Sequence, residues 1–278
     1  MSNLNGTNIG IEPSPEEEQV EDLSIVEKII GVWVSPVATF KRIARRPDFW
    51  SAFIIVSLIW IAIQMVMLPT SMPLIESNTI TQMQKSFAEQ GLSEKDQTEA
   101  IGIIAKSMRI LSYVGTVVGP PIGLAVGFLM MSGLIFLISL GQGLDTDFKR
   151  LLGVIPWLSL ISIFSEVAKT VVGMIRGVTT FDQLTDMRYL KPFSLAGLIP
   201  QSVELSPGTA AVVQVLGMID PFFIWSTIVM VFALQAANRC TRSQAIVTTI
   251  VSTLIVLIIS AILIFGGMAL QQIFAGMS

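Results

Sequence analysis

Two oppositely charged side chains lie near the middle of the apolar stretch Ile161–Ile175. Glu166 and Lys169 are three residues apart, a spacing that places both on one face of a helix, where they can form an ion pair. Asp220 lies in a later apolar stretch. If both stretches are spanning helices, Glu166 lies about 14 Å deep, Lys169 about 9 Å and Asp220 about 15 Å, counted from one membrane face. Charges at this depth are costly unless they are paired or hydrated, so all three should face the interior of a helix bundle.

This intramembrane polar cluster has two interpretations. Two acids and one base cannot all be neutralised as ions, so one carboxyl would be protonated, hydrated or paired elsewhere. Interrupted helices beside such charges are typical of solute sites in transporters. The residues expected to interrupt the helices are Gly119, Pro120, Pro121, Pro156 and Pro221. The other interpretation is an ion pair that fixes how two helices dock, and the lack of an internal repeat favours it.

The elements that must hold these side chains are membrane-spanning helices. Of the residues, 52% are hydrophobic and 13% are charged, and the mean hydropathy is +0.73. An all-α polytopic protein is therefore predicted. Five apolar stretches are each long enough to cross about 30 Å of hydrocarbon. They cover residues 49–68, 110–140, 151–175, 210–235 and 245–270. We expect the sequence Gly119–Pro121 to divide the second stretch, with the true span beginning at about Ile122.

The remaining segments are predicted from charge and capping signals. Residues 1–22 hold six acids and no base and should form a disordered tail, and the rest of the chain carries a net charge of +3. Residues 23–47 are predicted to form two amphipathic interfacial helices, and residues 271–278 a short external tail. The polar connection 69–109 should form a small external helical hairpin, in which Ser93 caps the second helix.

The two amphipathic segments have apolar and basic faces. In the first, Leu23, Val26, Ile29, Ile30 and Trp33 share a helical face. The second begins with Ser35 as N-cap and Pro36 at the first helical position. In it, Val37, Phe40 and Ile43 lie opposite the bases Lys41, Arg42, Arg45 and Arg46. Such a helix suits the headgroup layer of an anionic cytosolic leaflet, although a charge signal that only orients the chain would look the same.

Basic residues also predict the threading of the chain. The lead-in to the first span, the link 141–150 and the link 236–244 are rich in lysine and arginine. With five crossings, all three lie on one side, whereas the longer connections on the other side carry sparser bases, including Arg188 and Lys191. The positive-inside rule then gives a cytosolic N-terminus and an external C-terminus. We expect a multi-pass integral membrane protein.

Composition also argues against several classes of function. The sequence has no histidine and a single cysteine, Cys240, so it predicts no metal site, no cofactor and no histidine-based catalysis. Asp220 is the sole aspartate within a predicted span, whereas an aspartyl protease needs two. The positive charge is too sparse for nucleic-acid binding. The protein is therefore predicted not to be an enzyme.

A ridge of small residues follows one face of the second span. Gly115, Gly119, Gly123 and Gly127 recur every four residues, which lets another backbone approach closely. We expect the partner to be a neighbouring span of the same chain, with self-association as the alternative.

Four segments together resemble one membrane-protein family. They are VEKIIGVWVSPVATFKRIARRPDFW (26–50), GQGLDTDFKRLLGVIPWLSL (141–160), IDPFFIWSTIVMVFAL (219–234) and RSQAIVTTIVSTLIVLI (242–258). In order and spacing they resemble the Yip family of Ypt-interacting proteins, in its bacterial form. The resemblance implies a polytopic protein of a bacterial cytoplasmic membrane, with a cytosolic N-terminus and an external C-terminus. In eukaryotic members it implies binding to prenylated Rab-type GTPases, but their DLYGP-type signature is absent here, so GTPase binding is not carried over.

The sequence thus favours a non-enzymatic membrane component that organises the membrane or partner proteins. Its partners would be the lipid bilayer with its anionic cytosolic leaflet and a protein partner or a second copy. The alternative is a small transporter or channel that uses Glu166, Lys169 and Asp220.

Overall fold

A computed structural model of the chain describes residues 22–91 and 93–276. All its regular elements within those ranges are helices. The α-helices are α1 (Ile25–Val34), α2 (Pro36–Arg45), α3 (Phe49–Glu89), α4 (Glu94–Gly141), α5 (Phe148–Arg176), α6 (Phe181–Thr185), α7 (Met187–Leu190), α8 (Pro207–Leu216), α9 (Pro221–Asn238) and α10 (Arg242–Gly276), and Leu195–Leu198 forms a 3-10 helix. The predicted acidic tail, apart from Asp22, lies outside the described residues.

Five of these helices, α3, α4, α5, α9 and α10, are long and apolar enough to cross a membrane. The predicted all-α polytopic fold with five spans is therefore confirmed. Helix α5 lies at the centre of the bundle and packs against α3, α4 and α9. Its side chains Leu151, Trp157 and Ile161 are fully buried in the hydrophobic core.

The first two spanning helices are much longer than their apolar stretches. Helix α3 has 41 residues and α4 has 48, so the predicted hairpin is built from continuous extensions of the two spans. Gly91, with φ +68°, makes the turn between them, and the Ser93 side chain accepts a hydrogen bond from the Asp96 N–H, as predicted. An ion pair of 3.0 Å between Arg109 Nη2 and Glu76 Oε1 joins the two helices.

The prolines within the spans do not interrupt their helices. Helix α4 continues through Pro120 and Pro121, and α5 continues through Pro156, so the predicted breaks at Gly119–Pro121 and Pro156 are wrong. Each proline removes one backbone donor, but an unwound turn in hydrocarbon would leave more groups without partners. Continuing the helix is therefore the less costly arrangement.

The predicted span 210–235 is instead two helices. Helix α8 ends at Leu216 and α9 begins at Pro221, with a short turn between them. The Asp220 side chain caps α9 by accepting a hydrogen bond of 2.8 Å from the Phe223 N–H. Asp220 thus lies at a helix end. The predicted depth of about 15 Å assumed a continuous span, and that assumption is wrong. Pro221 occupies the first turn of α9, where its missing N–H costs nothing.

The ends of the chain differ from the prediction in one respect. Helix α10 continues to Gly276, so most of the predicted tail 271–278 is helical, and residues 277 and 278 lie outside the described range. At the other end, α1 and α2 form where the two amphipathic helices were predicted. Ser24 and Glu27 make a reciprocal capping box at the start of α1.

Candidate functional site: an ion-pair network and a basic surface

Helix α5 contributes the first half of an ion-pair network. Lys169 Nζ contacts Glu166 Oε2 one turn away on the same helix. The other carboxylate oxygen, Glu166 Oε1, lies 3.4 Å from Lys191 Nζ. Lys191 follows α7 in the connection between α5 and α8, so Glu166 bridges two lysines from different parts of the chain.

Lys191 is the central member of this network. It is 7% exposed, and its Nζ donates a hydrogen bond of 2.8 Å to Ser165 Oγ. The same ammonium lies 3.4 Å from Asp220 Oδ2, and Ser165 Oγ donates to that carboxylate oxygen as well. Asp220 is 3% exposed, and its other oxygen is occupied by the cap of α9. The ion-pair network is therefore Lys169, Glu166, Lys191 and Asp220, with Ser165 between the last two.

The network contains two carboxylates and two ammonium groups. The sequence argument counted two acids and one base. The surplus carboxyl was expected to be protonated, hydrated or paired with another group. The structure shows the third arrangement, because Lys191 supplies the missing cation. Sequence reasoning placed Lys191 among the sparse bases of an external connection and missed its role. Its partners are 25 or more positions away, so no local pattern indicates the contact.

The connection that carries Lys191 is held by partly buried hydrogen bonds. Arg188, just before it, pairs with Asp186 at 2.8 Å. Its guanidinium also donates to the backbone oxygens of Pro200 at 3.0 Å and Val203 at 2.9 Å. The Leu195 N–H donates to the Ile219 oxygen in the turn between α8 and α9. The segment is thus fastened to the bundle on both sides of Lys191.

This geometry suits a structural link better than a reaction centre. Lys191 donates to Ser165 and Ser165 donates to Asp220, so the lysine acts as a donor and not as a base toward the hydroxyl. Ser165 is itself buried. A cavity of about 330 Å³ does lie between α4, α5, α9 and α10, but it is lined by other residues, such as Phe128, Ser159 and Met230.

The second candidate surface is at the end of the bundle where α2 lies. Helix α2 packs against α5 and α9, and its side chains Phe40 and Ile43 are fully buried in the protein core. The predicted contact of these two side chains with the headgroup layer is therefore wrong, since the bundle itself covers them. Of the four predicted lipid-contacting bases, Lys41, Arg45 and Arg46 are exposed and Arg42 is partly buried.

Helix α1 exposes an apolar stripe beside this basic surface. Val26, Ile30 and Val34 are spaced four residues apart and are 62%, 56% and 79% exposed. The opposite face of α1 packs on α2 and α5.

A charged contact fixes α1 to the start of the first span. Lys28 Nζ lies 3.4 Å from Asp48 Oδ2 and 5.2 Å from the centre of the Trp157 ring. Burial acts to raise the pKa of Asp48, but hydrogen bonds from Ser51 and the charge of Lys28 outweigh it, and the pKa is lowered. The carboxylate form of Asp48 is thus favoured in the folded protein.

Among the described residues, no other span closely approaches the glycine ridge of α4. Gly115, Gly119, Gly123 and Gly127 are all exposed, and a Cβ added at any of them would meet no atom within 4 Å. The expected approach of a neighbouring span of the same chain is therefore wrong. Self-association through this ridge stays a prediction.

Comparison with known proteins places these features in context. The family model of the Yip1 domain matches residues 30–264, which include α2, α3, α4, α5, α9 and most of α10. Membrane protein YknW of Bacillus subtilis (strain 168) is 26% identical to the chain over 251 residues, or 90% of each protein. No solved structure matches the chain.

Proposed function

Because this chain belongs to the Yip1 domain family, we propose that it is a non-enzymatic membrane protein that organises anionic lipids, and partners at the membrane surface, from its basic end. The basic end is the surface formed by α1, α2 and the adjoining ends of α5 and α9. The positive-inside rule assigns this end to the cytosol, where the anionic leaflet attracts lysine and arginine.

The fixed position of α2 carries this proposal. Phe40 and Ile43 are fully buried against the bundle, so α2 is fixed to the rest of the protein. The exposed bases Lys41, Arg45 and Arg46 therefore lie on a helix whose position relative to the bundle is fixed. The exposed stripe of α1 adds apolar side chains that suit the boundary between headgroups and acyl chains.

The transporter alternative has less support. A solute site needs charged groups that are free to exchange partners, whereas both carboxylates of the ion-pair network are paired with lysine. The network also joins three separate segments, as a structural brace would. We assign it to the architecture of the bundle.

Lipid redistribution in reconstituted membranes tests the proposed function. The full chain is placed in giant vesicles that contain fluorescent phosphatidylglycerol in phosphatidylcholine, and enrichment of the fluorescent lipid around the protein is measured. We expect the triple substitution Lys41→Gln, Arg45→Gln and Arg46→Gln to abolish the enrichment. The matched control is Lys85→Gln, Lys95→Gln and Lys106→Gln, which removes three exposed bases from the α3–α4 hairpin. Equal enrichment in wild type and both variants would overturn the proposal.

The same vesicles separate the two functions. Under the transporter reading, Asp220→Asn should abolish proton or cation flux measured with an entrapped dye. Under the proposed function, the wild-type chain gives no flux above that of empty vesicles, and lipid enrichment persists in any Asp220→Asn protein that folds.

A further inference from the structure

Four basic side chains from three separate parts of the chain line one cavity at the basic end. The cavity has a volume of about 340 Å³ and is lined by Lys41, Ala44, Arg45, Arg150, Gln235, Ala236 and Arg239. Helix α2, the first turn of α5 and the end of α9 each contribute at least one base. No carboxylate is among the lining residues. The cavity therefore concentrates positive charge without internal compensation.

The small residues among the lining set make room for a ligand. Ala44 and Ala236 present only methyl groups, and Gln235 adds an amide that can donate or accept hydrogen bonds. Lys41, Arg45 and Arg239 are exposed, so the cavity opens to solvent. A phosphate group is small enough to enter and offers the oxygens that arginine binds in pairs.

Ion pairs outside the cavity compensate only part of the positive charge of these four bases. Arg150 Nε lies 3.4 Å from Asp147 Oδ2, and that ion pair is between neighbouring turns of the same helix end. Within the part of the chain that the structure describes, no ion pair is found for Lys41, Arg45 or Arg239. Like charges held around one space repel each other, and a bound anion would remove that repulsion.

The backbone at Arg239 is an independent sign that the site is built. Arg239 ends α9 with φ 49°, and it is the one non-glycine residue with positive φ in the described ranges. Glycine or asparagine is usual at such a helix end, since a larger side chain is strained there.

Neighbouring hydrogen bonds hold Arg239 in this position. Asn238, the residue before it, is locked by Nδ2 donating to Ser139 Oγ at 2.9 Å. Its Oδ1 accepts from Thr146 Oγ1 at 2.8 Å. The fold thus keeps an arginine, at a cost in strain, where it lines the cavity.

We propose that this cavity binds one phosphate group, carried by an anionic lipid headgroup or by a soluble phosphate ester. The site differs from the surface bases of α2 in that Arg150 and Arg239, which come from other elements, complete it. Basic cavities beside spanning helices on the cytosolic side are suited to anionic headgroups. The inference deepens the proposed function and rests on it for the cytosolic placement of this end.

Neighbouring arginines provide matched controls. Arg45 lines the cavity and Arg46 does not; Arg239 lines it and Arg242, at the start of α10, does not. Arg46 and Arg242 are both exposed, so substituting either removes one positive charge from the same end of the bundle. Arg46 pairs with Asp22, so its substitution also leaves that carboxylate without its partner, and Arg242 is the closer match. A diffuse electrostatic surface would respond equally to either member of a pair, whereas a discrete site would not.

The test uses the purified full chain in neutral detergent, titrated with phosphatidylglycerol and followed by native mass spectrometry. Phosphatidylcholine is the neutral comparison lipid. We expect one phosphatidylglycerol to bind with at least about tenfold preference, and Arg45→Gln or Arg239→Gln to weaken that binding by about tenfold, as for loss of a charge-assisted hydrogen bond. The Arg46→Gln and Arg242→Gln proteins should bind like the wild type.

A second arm identifies the source of the phosphate. If inorganic phosphate raises the unfolding temperature of the wild-type chain but not of Arg239→Gln, and phosphatidylglycerol fails to bind, the site takes a soluble phosphate. The proposal is overturned if neither ligand binds, or if the paired controls lose binding as much as Arg45→Gln and Arg239→Gln. If Arg239→Gln loses phosphate binding but still enriches the lipid in the vesicle assay, the proposed function does not depend on this site.

Discussion

Lys191 Nζ lies 3.4 Å from Asp220 Oδ2, although the two residues come from different segments and both are buried. The pair closes an ion-pair network with equal numbers of acids and bases. It also ties the connection after α7 to the first turn of α9. The network therefore has consequences for stability that do not depend on any ligand.

Removing Lys191 should destabilise the folded protein. In Lys191→Met, Asp220 loses its cationic partner in a buried position, which costs about 3 kcal/mol. Thermal unfolding in detergent, followed by circular dichroism, measures the loss. Adding Asp220→Asn should recover part of the stability, because the amide retains the cap to Phe223 without a charge. Lys106→Met, at an exposed position on α4, is the control, and an equal effect of both lysine substitutions would contradict the prediction.

The Lys28–Asp48 ion pair should make stability depend on pH. The pKa of Asp48 is lowered in the folded state, so its contribution is complete above the unfolded pKa of about 3.9 and is lost as pH falls through the folded pKa. Asp48→Asn keeps the helix cap but removes the charge. We expect it to cost about 0.5–1 kcal/mol at pH 7, since the pair is partly exposed.

The measurement is the difference in unfolding free energy between wild type and Asp48→Asn at neutral pH and below about pH 3.5. A difference that stays constant over this range would show that the carboxylate charge contributes nothing.

Gly153 should tolerate no side chain. An added Cβ would overlap the Pro47 side chain and lie 2.8 Å from Pro47 Cα, where α2 leads into α3. We expect Gly153→Ala to destabilise the protein by about 1–3 kcal/mol, as overpacking does. Gly133→Ala is the matched control because its added Cβ meets nothing within 4 Å, and it should be neutral or stabilising. Thermal unfolding of the two variants measures the difference. Equal stability of Gly153→Ala and Gly133→Ala would contradict the prediction.

Cys240 provides a native probe of the threading. It lies in the link between α9 and α10, at the basic end, and burial raises the pKa of its thiol. A membrane-impermeant maleimide should therefore label it slowly at pH 7 and faster as pH approaches 9, because the thiolate reacts. In sealed vesicles of known orientation, labelling should occur from the cytosolic side. Lys95→Cys in a Cys240→Ser background should label from the other side, and labelling of both positions from one side would refute the proposed topology.

Hydropathy located the five spans but not the ends of their helices. It detects where side chains suit hydrocarbon, whereas α3 and α4 continue as helices through polar residues beyond that region. The turn before α9 was predictable from a local capping signal, but it was overlooked because the surrounding residues form one apolar run. Asp220–Pro221 repeats the sequence pattern of Ser35–Pro36, from which the start of α2 was predicted. The Asp220 side chain caps its helix, whereas the Ser35 side chain makes no capping hydrogen bond.

The candidate sites were less accessible to sequence reasoning. Glu166, Lys169 and Asp220 were found because charge is rare in apolar stretches. Lys191 lies in a polar connection where a lysine needs no explanation, and its burial results from contacts between distant segments. Arg150 and Arg239 are ordinary members of basic links until the fold brings them to one cavity with α2.

The length of the α3–α4 hairpin has a mechanical consequence. If about 20 residues of α3 cross the hydrocarbon, the remaining turns extend about 30 Å beyond it, and the ion pair between Glu76 and Arg109 couples the two arms. Such a spacer would hold whatever touches its tip at a set height above the lipid. Deleting matched turns from both arms should lower that height while the embedded bundle keeps its shape.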